Sequence, residues 1–460
     1  MRSLLIASLL ASALFGGIHE TNEGLFLEIF ENYDPQSKVI AEVSTEKGKI
    51  EQLRCRGTRD NTEWCRVRYH HDGVVLQGWS DKKSLDTIAS RPNTKPTFEK
   101  RFGGRYGEEG RALLALNDGF LIVGTTESFG EGQKDAYALK VDKFGNKLWS
   151  ETYGGGSDDI AEAVIPVKNG FMLAGSTWSI GSEGQNLYVL RISEKGELLW
   201  ENGYYAKKRD RYLGKSLAKL NDDHVMVAGS EEHIKFFNAD VFCYLSAINL
   251  NGQEKWVQRY GGGEPDRANS VIKVEDGFVF AGATETWGED GKNMYVVKID
   301  SSGSRVWHQA FGYDYDEEAE QVIATRDGGY LLVGTTNSDH NKLKDVYVVK
   351  IDANGYKQWQ RHYGGKSDEE GLGVVETDDG YVIVGYTEST KDRSSDVYLL
   401  KIDRSGAIYW NKTYGGSGND AGQAIVKVKD GFVITGYSEG PSGRGKDLYM
   451  LKVDLEGNLN

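Results

Sequence analysis

One segment of this chain recurs at a nearly constant interval, and that repetition restricts the fold more than any other feature. A tyrosine marks each copy, and successive tyrosines are 51, 56, 51, 52, 51 and 51 residues apart. These residues are Tyr137, Tyr188, Tyr244, Tyr295, Tyr347, Tyr398 and Tyr449. Twelve residues after each of the first six stands a tryptophan: Trp149, Trp200, Trp256, Trp307, Trp359 and Trp410. Repeats of this length indicate one supersecondary unit used several times.

Each copy contains the signals of four short β-strands. In the second copy, the apolar segments are AEAVIPV, GFMLAGST, NLYVLRI and LLWENGY, separated by an Asn-Gly turn, a polar loop and the turn SEKGE. Asn-Gly or Asp-Gly between two apolar runs is a strong hairpin signal. Four strands in about 50 residues fit one propeller blade. Seven copies therefore predict an all-β fold, a seven-bladed β-propeller over residues 98–460.

The two ends of the repeat region complement each other. The last copy stops at KVDLEGNLN, before its fourth strand. The missing piece, an aromatic residue followed by two glycines, occurs at the start as FEKRFGG, residues 98–104. We therefore expect this N-terminal strand to complete the last blade and close the ring.

The turn before the tryptophan has the form Asp-x-x-Gly, as in Asp352, Gly355 and Trp359. We expect Gly355 to supply a positive φ, and Trp359 to fill the wedge between neighbouring blades. The pattern resembles the tryptophan-docking repeat of pyrroloquinoline-quinone-type propellers, although Ser193 and Asn249 replace the aspartate in two copies. The resemblance implies the architecture and not the quinone, because those dehydrogenases usually have eight blades and an adjacent cysteine pair is missing here.

The first 17 residues, MRSLLIASLLASALFGG, have the pattern of a signal peptide: one basic residue, an apolar run and small residues behind it. A buried N-terminal helix is the alternative. No later segment has transmembrane length, so membrane insertion is not expected. The mature protein is predicted to be periplasmic or secreted.

Residues 18–90 lack the repeat and have the alternation of short strands joined by turns. Their segment TEWCRVRYHHDGVVLQGWSDKKSL resembles the bacterial Src-homology-3 family of small β-barrels. Members of that family often bind cell-wall peptides or other proteins, so the resemblance implies cell-wall material as one partner. Trp79 is then either a binding residue or part of the core. Residues 91–97, with two prolines just before the repeats, are the predicted linker.

The chain has three cysteines. Cys55 and Cys65 fall on two consecutive predicted strands of the small domain, and a cross-strand disulfide is expected there in an exported protein. Cys243 occupies a position that is apolar in every other copy, and we expect it in the core.

The strand order of a blade places the tight Asp-Gly and Asp-x-x-Gly turns on one face of the ring. The opposite face, called the long-loop face below, carries the loops between second and third strands and those between blades. Function is expected there. Acidic residues are frequent in its loops: Glu108, Glu109, Asp158, Asp159, Asp266, Asp316, Glu317, Glu318, Asp368, Glu369, Glu370 and Asp420. They form either a ring of charge for a cation or basic peptide, or structural caps of turns, and the second interpretation is favoured.

The third copy breaks the repeat symmetry on this face, with a longer, basic loop before it and a longer, aromatic loop within it. Aromatic side chains on rigid loops serve protein or sugar recognition, although they also cover apolar gaps in their own blades. The candidate binding residues are Lys207, Arg209, Phe236, Phe237, Trp178, Trp287 and Phe129.

The net charge of −14 disfavours nucleic acid and anionic lipid as partners. Zinc-type spacing, a Gly-x-Ser-x-Gly elbow and a phosphate-binding glycine loop are all missing, so no catalytic residue and no cofactor are predicted, while a divalent cation is left open. The sequence thus favours an exported, non-enzymatic binding or scaffolding protein of the bacterial cell envelope that recognises a protein or peptide through the long-loop face. The alternatives are a carbohydrate-binding, lectin-like propeller and a hydrolase using carboxylates of that face, and an enzyme is the less favoured class.

Overall fold

The computed structural model describes residues 18–21, 24–30, 39–44, 49–57, 63–71, 74–82, 85, 97–181, 183–204, 210–234, 239–313, 315–337, 343–390, 394–440 and 445–459. The chain divides into two compact units, Met1–Thr94 and Lys95–Asn460. The predicted signal peptide and all but the last residue of the predicted linker lie outside the described residues. Within the described part of the chain, no helix has the length and apolar character needed to cross a membrane.

The first unit contains one antiparallel sheet of six strands in the order β1-β2-β6-β5-β4, with β3 also paired to β2. The strands are β1 (Ile18–Thr21), β2 (Gly24–Phe30), β3 (Val39–Ser44), β4 (Lys49–Gly57), β5 (Glu63–His71) and β6 (Val74–Asp81). Trp64, Val67 and Leu85 are buried, whereas Trp79 is partly exposed. The register of β4 and β5 places Cys55 directly opposite Cys65.

The second unit consists of seven four-stranded antiparallel sheets, as the repeats predict. The first strand of this unit is β7 (Phe98–Phe102). Blade 1 contains β8 (Glu108–Leu116), β9 (Gly119–Thr126), β10 (Asp135–Asp142) and β11 (Lys147–Tyr153), and blade 2 contains β12 (Asp159–Val167), β13 (Gly170–Thr177), β14 (Asn186–Ile192) and β15 (Leu198–Tyr204). Blade 3 contains β16 (Arg211–Lys219), β17 (His224–Ile234), β18 (Ala239–Asn249) and β19 (Glu254–Tyr260), and blade 4 contains β20 (Asp266–Val274), β21 (Gly277–Thr284), β22 (Asn293–Asp300) and β23 (Arg305–Phe311). Blade 5 contains β24 (Glu317–Ala324), β25 (Tyr330–Thr336), β26 (Asp345–Ile351) and β27 (Lys357–Tyr363), and blade 6 contains β28 (Glu369–Glu376), β29 (Gly380–Thr387), β30 (Asp396–Asp403) and β31 (Ile408–Tyr414). Blade 7 contains β32 (Asp420–Val428), β33 (Gly431–Glu439) and β34 (Lys446–Val453).

Closure of the ring follows the prediction from the chain ends. Strand β7 pairs with β34, so the N-terminal strand of the repeat region supplies the fourth strand of blade 7. The first strand of each blade contacts the first strand of the next, including β32 of blade 7 with β8 of blade 1. The first strands are therefore innermost and surround a central channel, and the fourth strands lie at the rim.

The core of the propeller lies between the blades. The second strands are buried along almost their whole length, as in β9, β13 and β21, whereas the fourth strands are exposed or half-buried up to their last residue, as in β11. Apolar residues of adjacent blades form shared clusters, and the cluster containing Phe120 and Leu448 joins blade 1 to blade 7. Because each blade buries its faces against two neighbours, no blade has a complete core alone.

The repeated tryptophan packs against the glycine of the Asp-x-x-Gly turn in the following blade. A Cβ added to Gly355 would lie 3.1 Å from Cε3 of Trp307, and Gly406 faces Trp359 in the same way. At the seam where the ring closes, Phe98 takes the place of the tryptophan against Gly145. Glycine is needed at these turns for two reasons, because the backbone φ is positive (86° at Gly355) and the ring leaves no room for a side chain.

A hydrogen bond adds to this contact in five blades. The tyrosine that ends the fourth strand donates its hydroxyl to the carbonyl of the same turn glycine, for example from Tyr363 to Gly406 at 2.7 Å. The other pairs are Tyr153 with Gly196, Tyr204 with Gly252, Tyr260 with Gly303 and Tyr414 with Gly457. The turn itself keeps its shape where aspartate is replaced, because Ser193 and Asn249 accept the same backbone N–H groups that Asp142 accepts in blade 1.

Gly355→Ala is expected to destabilise the propeller more than Gly328→Ala. Both glycines lie in blade 5 at nearly the same φ, 86° and 84°, but nothing lies within 4 Å of a Cβ at Gly328. The left-handed conformation alone costs an alanine about 1–2 kcal/mol, and overpacking against Trp307 adds about 1 kcal/mol or more. Urea unfolding of the two variants checks this, and equal losses of stability would show that the tryptophan contact contributes nothing.

Candidate functional site on the long-loop face

Six of the twelve acidic residues predicted for the long-loop face are structural. In six blades, the first residue of the inner strand is a buried carboxylate: Glu108, Asp159, Asp266, Glu317, Glu369 and Asp420. Each accepts a backbone N–H from the loop that enters its blade, at distances between 2.6 and 3.0 Å. The donors are Gly104, Gly155, Gly262, Tyr313, Gly365 and Gly416 in the same order. These carboxylates brace the loops between blades, so the turn-capping interpretation holds and they do not form a free ring of charge.

A hydroxyl group from the second strand or the loop after it completes each brace. Where the acid is glutamate, the last threonine of the second strand donates directly, as Thr336 does to Glu317 at 2.7 Å. Where the acid is the shorter aspartate, a hydroxyl two residues later can reach it, as Ser179 does to Asp159 at 2.7 Å. The loop between blades and the loop after the second strand are thereby held together.

Blade 3 exchanges the two partners of this brace. Its inner strand has Tyr212 where the other blades have the acid, and its second strand has Glu231 opposite it. Tyr212 donates its hydroxyl to Oε1 of Glu231 at 2.6 Å, and Nη2 of Arg259 donates to the same oxygen at 2.7 Å. His233 contacts Glu231 through Nε2 and Asp210 through Nδ1, the latter at 3.1 Å. These five residues are called the blade-3 polar cluster.

The electrostatics of the blade-3 polar cluster centre on Glu231, whose side chain is fully buried. Burial acts to raise the pKa of Glu231, but hydrogen bonds from Arg259 and Tyr212 and the charges of Arg259 and His233 lower it below its ordinary value. Burial and the bonded glutamate together raise the pKa of Tyr212. The cluster is thus an internally paired group around an ionised Glu231, and it includes Asp210, the residue just before β16.

An open cleft lies on the long-loop face between blades 1 and 2. It has a volume of about 240 Å³ and is lined by Gln133, Gly156, Ser157, Asp158 and Trp178. Three loops meet there: the second-to-third-strand loop of blade 1, the loop between the blades, and the start of the corresponding loop of blade 2. Their positions are fixed by backbone contacts, since the Trp178 N–H donates to the Asp158 carbonyl at 2.9 Å.

Close approach of two loops also shapes the cleft. A Cβ on Gly132 would lie 2.2 Å from the carbonyl oxygen of Ser157, so only glycine permits this distance. Ser157 in turn donates its N–H to the hydroxyl of Ser179, which braces Asp159. The floor of the cleft is therefore rigid, while Trp178 remains 45% exposed at its edge.

Trp178 differs from its counterparts in every other blade. In six blades, one residue just after the second strand, or near its end, donates its N–H to the loop between blades. This shared hydrogen bond makes the six residues structurally equivalent. The residues are Glu127, Trp178, Glu285, Asn337, Glu388 and Glu439. In blade 3 the corresponding residue is Glu232, opposite Arg211. A single exposed indole thus occupies a position that is polar elsewhere, and the repeat architecture does not require it.

The other predicted aromatic residues have contacts within their own blades. Phe129, although 46% exposed, stacks on Tyr137 with ring centroids 6.3 Å apart. Trp287 stacks on Tyr295 at 5.3 Å and meets His308 edge-on at 4.6 Å. These two side chains cover the third strand beneath them. Four more candidates, Lys207, Arg209, Phe236 and Phe237, lie outside the described residues.

In the described part of the chain, no three His, Cys, Asp or Glu side chains form a group that could hold a metal ion. The candidate for recognition is therefore the Trp178 cleft. Sequence reasoning singled out Trp178 but not its unusual position, which an alignment of the seven copies would reveal. It missed Glu231 and Arg259, although the tyrosine in place of an acid at 212 was a visible signal.

No family model and no curated protein matches the chain. Among solved structures, it is similar to the WD40 β-propeller domain of Doa1, with 10% identity, a TM-score of 0.44 and coverage of 78% of this chain and 97% of that one. Sqt1 from Chaetomium thermophilum matches with 11% identity and a TM-score of 0.43, over 74% of this chain and 82% of that one. The phage phi92 endosialidase matches with 10% identity and a TM-score of 0.42, over 78% and 69%. Likenesses at this level carry no functional argument.

Glu231→Gln is expected to lower the free energy of unfolding by about 2 kcal/mol near neutral pH, because the buried glutamine loses its charge-assisted bonds with Arg259. The folded-state pKa of Glu231 is depressed. Its contribution is therefore fully present above the unfolded pKa of about 4.3 and is lost as the pH falls through the folded pKa. Unfolding curves of both proteins between neutral and acidic pH should converge at low pH.

A matched control is Glu285→Gln, which removes an exposed carboxylate of the same face in blade 4. This change should alter stability by less than about 0.5 kcal/mol. A loss at Glu231 no larger than that at Glu285, or one that persists unchanged in acid, would contradict the assigned role of the blade-3 polar cluster.

Proposed function

We propose that this protein is an exported, non-enzymatic binding protein of the bacterial cell envelope, which recognises a protein or peptide through the long-loop face of its propeller. The observation that carries the proposal is the exposed indole of Trp178 at the edge of a rigid cleft. Tryptophan is enriched among the residues that contribute most to protein interfaces, because it buries a large area at little cost in side-chain entropy. The export step rests on the signal-peptide pattern of residues 1–17.

The state of the carboxylates argues against the hydrolase alternative. Hydrolysis by a carboxylate pair needs an acid and a base that face the same open site. Burial raises the pKa of Asp266 and Asp420, as it would for a general acid, yet both side chains are completely buried and brace loop amides. In the Trp178 cleft, Asp158 is the one acidic residue of the lining.

A carbohydrate remains the second candidate ligand, for a specific reason. Beside Trp178, the cleft presents the amide of Gln133, the hydroxyl of Ser157 and the carboxylate of Asp158. An indole face next to hydrogen-bonding side chains suits a sugar ring as well as a peptide. The same variant tests both ligands, and the identity of the retained molecule distinguishes them.

The small N-terminal unit is proposed to be a bacterial Src-homology-3-like barrel that adds a second contact, with cell-wall material as its partner. Its antiparallel sheet and the buried Trp64 agree with such a barrel. We also propose that Cys55 and Cys65 form a disulfide in the exported protein, since paired strands hold them directly opposite each other.

Trp178→Ala is expected to reduce capture of the partner at least about tenfold, as the loss of a central interface tryptophan does. The full-length protein and the variant, each with an affinity tag, are crosslinked in intact envelopes, and the retained proteins are quantified by mass spectrometry. A glycan array probed with the same two proteins tests the carbohydrate alternative.

The control for this experiment is Tyr356→Ala. Tyr356 is an aromatic residue that is 67% exposed, and its tight turn places it on the opposite face of the ring. Its removal should leave capture unchanged. If the wild type and both variants retain the same partners in equal amounts, the long-loop cleft is not the docking site and the proposal fails.

The disulfide gives a separate expectation for thiol titration. The exported protein unfolded without reductant should show one reactive thiol, from Cys243, which is buried in the folded state. Reduction before unfolding should raise the count to all three cysteines. Three reactive thiols before reduction would show that Cys55 and Cys65 are not paired.

A further inference from the structure

The central channel has its own ring of side chains, distinct from the buried braces. Every inner strand contains a β-bulge at the same place, three residues after the brace position. The bulged residues are Arg111, Glu162, Lys215, Asn269, Glu320, Leu372 and Gln423. A bulge redirects its side chain out of the sheet, and such features often accompany binding sites.

Hydrogen bonds between bulged residues of different blades show that they face a common space. Arg111 of blade 1 donates to both carboxylate oxygens of Glu162 in blade 2 at 3.1 Å, and Lys215 of blade 3 donates to Glu162 at 3.0 Å. Asn269 of blade 4 donates to Glu318 of blade 5 at 2.7 Å. On this side of the channel, the charged side chains are thus paired with one another in a hydrogen-bonded network.

Glu320, in blade 5, is the exception. Among the described residues it has no hydrogen-bond or ion-pair partner, although protein encloses it deeply and its side chain is only partly exposed. Its carboxylate neighbours do have partners, because Lys292 bonds to Glu318 at 3.1 Å and Lys344 bonds to Glu370. An unpaired carboxylate inside a protein is costly unless a ligand compensates it.

The surroundings of Glu320 are acidic overall. Burial, followed by the negative charges of Glu318, Glu370 and Glu162, raises the pKa of Glu320 to about 7, while the positive charge of Lys215 acts in the opposite direction. Glu320 therefore changes its protonation state close to physiological pH. A bound positive charge would favour the ionised form.

We propose that the central channel binds a protonated organic amine through Glu320, as a site separate from the Trp178 cleft and independent of the proposed function. The carboxylate of Glu320 forms the ion pair with the ammonium group. Leu372 and Gln423, on the two following blades, supply an apolar and a neutral polar wall for the rest of the ligand. An amine fits better than a metal ion, because no group of three acidic, histidine or cysteine side chains among the described residues could hold an ion.

The amine has two chemical sources, a free polyamine-type cation or the lysine side chain of a polypeptide. Calorimetric titration of the full-length protein with cadaverine and with an acetylated, amidated Gly-Lys-Gly peptide separates them. Binding of both ligands identifies a site open to free amines, and binding of the peptide alone identifies a polypeptide ligand. Binding of neither overturns the proposal.

The dependence on pH assigns the binding to Glu320. Because the ligand pairs with the ionised carboxylate, affinity in the wild type should rise about tenfold between pH 6 and pH 8. Glu320→Gln should reduce the affinity at pH 8 about tenfold or more and abolish this pH dependence. Equal affinity of wild type and variant at pH 8 would overturn the proposal, as would a stronger response to calcium chloride than to the amines.

Two controls exclude general attraction to an acidic protein. Glu264→Gln removes one charge from an exposed residue of the long-loop face without touching the channel, and it should leave affinity and pH dependence unchanged. A variant-independent check is the titration of the Glu320 carboxyl by NMR, in which saturating cadaverine should shift the midpoint to lower pH. An unchanged midpoint would contradict binding at this residue.

Discussion

The contact between a tryptophan of one blade and a turn glycine of the next is the constraint on which the rest of this propeller depends. It joins successive blades at the rim and crosses a blade boundary, so it cannot form until two blades have folded side by side. The buried braces act within one blade at the long-loop face, where they hold the loop that enters the blade. The same contact at the rim occurs where the two ends of the repeat region meet. Strand β7 completes blade 7, and its Phe98 packs against the turn glycine of blade 1 in place of the tryptophan.

The brace also shows how the repeat tolerates change. Blade 3 has lost the acid of the inner strand, but the acid reappears on the neighbouring strand as Glu231 and the hydroxyl donor moves to Tyr212. The physical requirement is a buried carboxylate paired with a hydroxyl, and either strand can supply it. In blade 3, Arg259 and His233 also pair with the negatively charged Glu231. The braces of the other blades use neutral donors.

Much of this architecture can be predicted from the sequence, because strand alternation, Asn-Gly turns and the Asp-x-x-Gly signal each depend only on residues close together in the chain. The segments predicted as the last three strands of the second copy coincide with β13, β14 and β15. The site was less accessible to sequence reasoning. Trp178 could be identified as a candidate, but its exposure, and the self-coverage of Phe129 and Trp287, depend on which ring lies beneath each side chain. The β-bulges that turn Glu162 and Glu320 towards one channel have no glycine beside them, and the Gly110 that precedes the bulge at Arg111 lies inside an otherwise ordinary strand signal.

Repetition itself separates structure from function in this molecule. A residue type that recurs in most blades has a partner in the fold, as the turn aspartates, the brace carboxylates and the docking tryptophans do. A residue that appears once, at a position where its counterparts differ, is not required for closing the ring. Trp178 is such a residue, and Glu320 differs from Glu162, the other glutamate at the bulge position, in having no partner among the described residues. An enclosed carboxylate without a partner and an exposed indole each cost free energy, and a ligand that covers either one would remove that cost.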